Sequence, residues 1–202
     1  MKIFCIGRNY SEHIAELKNE TPEAPVLFMK PNTAINPNGA RWFLPEFSQN
    51  MHYECELVLK IGKNGKHIQP KFALQYVDAI TVGIDFTARD LQENLKSKGL
   101  PWEIAKAFDH SAIVGQFIPL DSLDLDNLSF SLLKNETEVQ NGNTKEMIHS
   151  SAQIISYISE YFTLQKGDLI FTGTPKGVGK VSIGESYKGF IENQPLFEFK
   201  VC

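Results

Sequence analysis

The ten residues His52-Tyr53-Glu54-Cys55-Glu56-Leu57-Val58-Leu59-Lys60-Ile61 constrain the fold of this chain more than any other stretch. Cys55, Leu57, Leu59 and Ile61 alternate on one side, the two-residue period of a β-strand with a buried face. The same period sends Glu54 and Glu56 to the other side, roughly 7 Å apart at Cα. Two carboxylates aimed together beside an apolar strand repel one another unless a proton or a cation lies between them. A hard dication such as Mg²⁺ takes carboxylate oxygens and keeps waters that a substrate can displace. A solvent-facing strand with its glutamates in water carries the same pattern, so the rest of the chain has to decide between the two.

A chain of 202 residues is long enough for one domain, residues 1–202, with a substantial core. Its formal charge of -4 provides no basic footprint for nucleic acid. Cys5, Cys55 and Cys202 are odd in number and show no CxxC spacing, which points to reduced thiols in a cytoplasm. Ile3 to Ile6 is too short an apolar run for a signal peptide and reads as a first strand. No apolar run approaches the roughly 18 residues that span a membrane.

Beyond the first strand, Tyr10 to Lys18 reads as a short helix with Asn9 or Ser11 as its cap and Ile14 and Leu17 on its apolar face. His13 and Glu16 stand three apart and so share a side of that helix. A carboxylate on one ring nitrogen fixes the histidine tautomer and leaves the other nitrogen to accept a proton. An exposed helix pair has the same spacing. The loop-like stretch 19–25 would let this helix move as a lid.

Val26 to Lys30 reads as a strand ended by Pro31, Ala73 to Val77 as a short helix, and Ala79 to Phe86 as a strand interrupted by Asp85. An ionised aspartate inside an apolar strand needs a partner. It would either supply a third carboxylate to Glu54 and Glu56, pair with Arg89 or cap the helix that follows. Thr87 is placed to cap the next helix, which Gly99 stops. Lys106 lies between Ala105 and Ala107, positioned to offset a cluster of carboxylates or to reach past them to water. Leu128 to Leu133 alternates as a strand, and Met147 to Phe162 carries apolar residues at helical spacing. The loop Gly173-Thr174-Pro175-Lys176-Gly177-Val178-Gly179-Lys180 has five residues between Gly173 and Gly179, and Val181 follows Lys180. A phosphate loop needs four residues there and Ser or Thr after the lysine, which excludes it. Its backbone N–H groups or the Thr174 hydroxyl could instead hold a carboxylate.

Taken together, Gly7-Arg8-Asn9-Tyr10, Tyr53-Glu54-Cys55-Glu56-Leu57, Asp85 with Thr87-Ala88-Arg89-Asp90-Leu91-Gln92, Lys106 and Gly173 to Gly179 resemble the fumarylacetoacetate hydrolase family. The resemblance covers nearly the whole chain, and it is greatest to the compact acylpyruvase and oxaloacetate decarboxylase branch. It implies an α+β, predominantly β fold: a mixed β-sandwich roll with short peripheral helices, assembled as a homodimer. It further implies Mg²⁺ or Mn²⁺ on Glu54, Glu56 and Asp85, with His13, Glu16 and Lys106 as catalytic groups. Arg89, Gln92 and Thr174 would contact a small 2-oxo or β-diketo acid. Arg89 has a second possible role, orienting Asp85. Ile84 departs from the family, in which many members have Asn before the metal aspartate.

The activity implied first is hydrolysis of the C–C bond of 3-acylpyruvates, with water activated by His13 and Glu16. The same site chemistry serves oxaloacetate decarboxylation or tautomerisation, and isomerisation of hydroxylated dienoates. A non-catalytic, metal-stabilised module is the alternative of a different class. The triad, lysine and His/Glu pair on one chain argue against it.

Overall fold

The computed structural model describes residues 1–16, 22–37, 39–120 and 123–202. Among them the chain opens with β1 (Ile3–Gly7), α1 (Ser11–Glu16), β2 (Val26–Lys30), β3 (Arg41–Trp42), β4 (Met51–Tyr53) and β5 (Cys55–Ile61). Next come α2 (Pro70–Ala73), β6 (Val77–Asp85), β7 (Thr87–Ala88), α3 (Arg89–Ser97), α4 (Glu103–Lys106), β8 (Ala112–Val114) and β9 (Ile118–Pro119). The C-terminal part holds β10 (Ser129–Lys134), β11 (Thr137–Asn143), α5 (Ser151–Tyr161), β12 (Leu169–Phe171), β13 (Gly179–Lys180), β14 (Ser186–Ile191) and β15 (Gln194–Val201).

One sheet has the order β2-β1-β12-β5-β6-β8, with β9 also on β6. A second runs β11-β10-β14-β15-β3, and a small third runs β13-β4-β7. Pairing is antiparallel except for β1 with β12 and β15 with β3, so the sheets are mixed, as the resemblance implied. The main core lies between the two larger sheets, where Leu57, Leu59 and Ile61 of β5 meet Phe130, Leu132, Tyr187 and Phe199. The other face of the first sheet carries a smaller cluster of Ile3, Cys5, Val58, Ala112, Leu169 and Phe171. Glu54 and Glu56 have the parity of Val58 and lie on this second face. They are 5% and 2% exposed, which rules out the solvent-facing strand.

Several boundaries differ from the sequence expectation. The helix expected from Met147 begins at Ser151, because Ser150 and Gln153 form a reciprocal capping box there. Met147 instead bridges to Tyr10, and Ile148 N–H donates to Asn9 O. Thr87 does not cap α3. Thr87 and Ala88 pair with β4, and the helix starts at Arg89 behind Ala88. The Asn9 side chain is not a cap either: it bonds His149 and Thr172. The helix read at Ala73 to Val77 is α2 followed by a 3-10 turn, Leu74–Tyr76. Gly99 ends α3 as expected, with φ of 64° in the left-handed region. The extension of α1 through Leu17 and Lys18, and residues 19–21 of the loop after it, lie outside the described residues.

Candidate metal centre

Register assembles the triad. β5 and β6 pair Cys55 with Ile84 and Glu56 with Gly83, which sets Glu54 opposite Asp85. Asp85 N–H donates to Glu54 O at 2.8 Å, extending the ladder by one step. Opposed residues share a face, so the three side chains point the same way. One oxygen from each of Glu54, Glu56 and Asp85 lies within 4.8 Å of the others, and all three residues are buried. Ile84, the departure from the family pattern, faces the apolar core and leaves this set untouched.

Cations surround the triad. Lys106 Nζ, at the last residue of α4, lies 2.7 Å from Glu54 Oε2 and 2.6 Å from Asp85 Oδ2. Lys30 Nζ approaches Asp85 Oδ1 to 2.8 Å and donates to Ser111 Oγ, Ser111 O and the carbonyl of Lys106. Arg89 Nη2 donates to Glu54 Oε1, and its Nη1 donates to Gln92 Oε1 at 2.7 Å. Arg89 therefore orients Glu54, not Asp85 as the alternative reading had it. Among the described residues Glu56 makes no ion pair, and it accepts Gly173 N–H at 2.7 Å.

These surroundings separate the carboxyls. Burial raises the Glu56 carboxyl well above the usual range, and its neighbours Asp85 and Glu54 push it further. Burial also disfavours the Glu54 carboxylate, but Lys106 and Arg89 outweigh it and hold the group well below that range. For Lys106 desolvation lowers the ammonium pKa, and Asp85 and Glu54 overcome this to leave it raised. A dication fits the donor set: three buried carboxylates converge, and the one lacking a cation is driven toward its protonated form.

The cleft above the triad encloses about 40 Å³ and is lined by Arg8, His13, Gln92, Lys96, Trp102, Lys106 and Thr174, among others. His13, only 6% exposed, keeps Nδ1 3.2 Å from Glu16 Oε2, so the expected pair forms. Glu16 Oε1 accepts Gly177 N–H at 3.1 Å. Thr174 faces the cleft, but its hydroxyl donates to Cys55 O and accepts from Gln140 Nε2. The loop N–H groups do hold carboxylates, as the glycines suggested, and those carboxylates are Glu56 and Glu16 of the protein itself.

Three basic residues of the site escaped the sequence reading. Lys30 looks like an ordinary strand end before Pro31, and only the excess of buried carboxylates could have signalled an inward ammonium. Arg8 stands in the Gly7-Arg8-Asn9-Tyr10 motif with nothing local to mark it, yet it lines the cleft with φ of 59°, rare for a residue other than glycine. Lys96 read as the tail of a helix.

The chain matches the model for the fumarylacetoacetate (FAA) hydrolase C-terminal family over residues 2–199. It is 42% identical over 200 residues to the mitochondrial oxaloacetate tautomerase FAHD1 of Bos taurus, covering 98% of this chain and 90% of the relative. A mitochondrial oxaloacetate decarboxylase of Dictyostelium discoideum is 41% identical over 189 residues, covering 93% and 87%. Among solved structures, fumarylpyruvate hydrolase of Pseudomonas aeruginosa with Mn²⁺ and pyruvate superposes with a TM-score of 0.94 at 37% identity, covering 100% and 89%.

Proposed function

This chain belongs to the fumarylacetoacetate hydrolase family, and from that premise we propose that it is a metal-dependent enzyme generating and quenching enolates of 2-oxo acids, with oxaloacetate tautomerisation as its first activity. The observation that carries this reading is the buried triad Glu54, Glu56 and Asp85 with the Lys106 ammonium across its mouth. Mg²⁺ or Mn²⁺ held by the triad would act as a Lewis acid toward a 2-oxo group and its neighbouring carboxylate.

The chain's own groups have separate tasks. Lys106 stays protonated beside Asp85 and Glu54 and stands where negative charge develops on the enolate oxygen. His13, with Nδ1 on Glu16, presents Nε2 to accept a proton from the carbon next to the oxo group and to return it. Phe28 and Trp102 wall the cleft and limit water.

Charge supports a dicarboxylic substrate. Lys30, Lys106 and Arg89 balance the three carboxylates, so a dication leaves two positive charges for the substrate to neutralise. Arg8 and Lys96 add positive potential along the wall. This consideration and the relatives' activities move oxaloacetate ahead of the acylpyruvates that the sequence put first. Acylpyruvate hydrolysis is the second reading, favoured by the His13–Glu16 pair, which would serve equally to deprotonate a water. Gln92, fixed by Arg89, and Thr174 complete the proposed substrate wall.

The test is turnover of oxaloacetate and, separately, acetylpyruvate with Mg²⁺ and with EDTA, each product resolved by NMR. Metal-dependent enol–keto exchange supports the first reading. Release of pyruvate and acetate supports the second, and inertness toward both sinks the proposal. His13→Ala should abolish exchange and hydrolysis alike, whereas decarboxylation, which needs no base, should persist. Assembly as a homodimer belongs to the same proposal and is checked by sedimentation equilibrium. Residence in the cytoplasm, drawn from the free cysteines, is checked by cell fractionation, since the two relatives named for oxaloacetate chemistry are mitochondrial. Among the described residues no helix is long and apolar enough to cross a membrane.

A further inference from the structure

The glycine loop between β12 and β13 holds two carboxylates with different duties: Glu56 through Gly173 N–H and Glu16 through Gly177 N–H. Its first end is tied to the sheet. Thr172 N–H and hydroxyl both donate to Leu57 O, at 3.1 and 2.9 Å, and Asn9 Nδ2 donates to Thr172 O at 2.8 Å. Its far end is different in kind. Gly177 has φ of 94°, a conformation that side chains resist, and glycine brings no side chain to fasten the turn.

Gln140 fastens the stretch between those ends, Thr174 and Pro175, from the other sheet. This β11 residue is 2% exposed, and its amide makes three hydrogen bonds. Nε2 donates to Thr174 Oγ1 at 2.9 Å and to Pro175 O at 3.0 Å, while Oε1 accepts from Cys55 N–H at 2.9 Å. Thr174 Oγ1 donates in turn to Cys55 O at 2.8 Å. Both backbone groups of Cys55, the residue between the two metal-site glutamates, are thereby bound to the loop frame. Gly177 is set flush on the neighbouring residue: a Cβ there would come within 2.2 Å of Val139 O.

We propose that Gln140 is a positioning residue for the proton-transfer arm of the site. By holding Thr174 and Pro175 it sets the course of the chain on to Gly177, and through Gly177 N–H it fixes Glu16 and the orientation of His13. The near end, with Glu56, has further ties of its own, Thr172 to Leu57 O and Asn9 to Thr172 O, beside the Gln140 bond to Cys55 N–H. The inference rests on the proposed enolate chemistry for its kinetic consequence, and on geometry alone for its structural one.

The experiment uses the full chain with Gln140→Met, which preserves length and removes the hydrogen bonds, beside wild type and Glu16→Gln. For enol–keto exchange or hydrolysis, kcat should fall about tenfold or more with KM changed less than about threefold. Metal-dependent decarboxylation should fall much less. Mn²⁺ affinity, followed by electron paramagnetic resonance, should stay within about threefold of wild type, because the three carboxylates keep their direct contacts with Lys30, Lys106, Arg89 and Gly173 N–H. In ¹³C-histidine NMR, with His13 assigned by His13→Gln, the His13 ring signals should shift in the direction that Glu16→Gln produces. Proportional loss of Mn²⁺ affinity and all rates would overturn the proposal, because it would mean a general loss of structure. So would unmoved His13 signals in a folded variant. Should Gln140→Met fail to fold, Gln140→Glu, which keeps the acceptor for Cys55 N–H, is read by the same criteria. Should wild type turn over neither substrate, the functional reading fails, and the NMR and Mn²⁺ measurements decide the role of Gln140 by themselves.

Discussion

On one face of β5, Leu57, Leu59 and Ile61 are completely buried among apolar neighbours from both large sheets. On the other face of the same strand, Glu54 and Glu56 are buried almost as deeply among Lys106, Arg89, Asp85 and the Gly173 amide. The first face stabilises the fold by about 1.5–3 kcal/mol for each large side chain removed from water. The second recovers desolvation through ion pairs, which seldom yields a net gain in stability. In the proposed function this face serves pre-organisation: charges fixed before a ligand arrives need no rearrangement when charge develops during reaction. Stability and the proposed function are thus sorted onto opposite sides of a single strand, and substitutions should separate them.

The largest separation is expected from Glu56→Ala. It should weaken Mn²⁺ binding more than about a hundredfold, exceeding the usual loss from a residue that merely supports a ligand. The melting temperature of the metal-free protein should hold or rise, since the lost carboxyl is strained by burial and by Asp85 and Glu54. Isothermal titration and calorimetry check the two halves. Leu57→Ala should do the converse, costing about 4 kcal/mol in urea unfolding through cavity formation while Mn²⁺ affinity is retained. A variant that lost both properties together would break the division between the faces.

Lys30→Met sharpens the comparison, because it removes a buried charge while keeping an apolar stem. Asp85 is left with Lys106 alone, so the metal-free protein should lose about 3 kcal/mol. Added Mg²⁺ should restore more stability than it confers on wild type, since the dication replaces the missing counter-charge; thermal melts with and without Mg²⁺ test this. The smallest effect concerns His52, at the edge of the charged face. Its pKa is pushed down to about 4, first by burial and then by Arg89. A histidine whose folded pKa is depressed takes up its proton more readily when unfolded, so stability should decline as pH falls from 6.5 toward about 4. His52→Gln should flatten that decline in melting temperature measured against pH.

Much of the charged face was legible in the chain. Parity placed Glu54 and Glu56 together, the interruption of an apolar strand marked Asp85, and three-residue spacing paired His13 with Glu16. Lys30 was not legible, because a lysine before Pro31 looks the same whether it faces water or an aspartate from another strand. Nor was Gln140, whose partners Cys55, Thr174 and Pro175 lie far away in sequence. The overlong helix at Met147 shows the converse failure: apolar periodicity ran on past a capping box that was also present in the sequence.

The sequence by itself determined which residues face together along each strand and helix, since those periods follow from local backbone geometry. It also determined the chemical groups available: carboxylates, a histidine with a carboxylate partner, and ammonium groups. Only the tertiary structure decided which strands lie side by side and in what register. A shift of one residue between β5 and β6 would move Asp85 off the face that holds Glu54 and Glu56. It likewise decided that Lys30 and Gln140 turn inward, because a buried charge or amide is stable only where distant partners satisfy it, and such partners are fixed only when the sheets close.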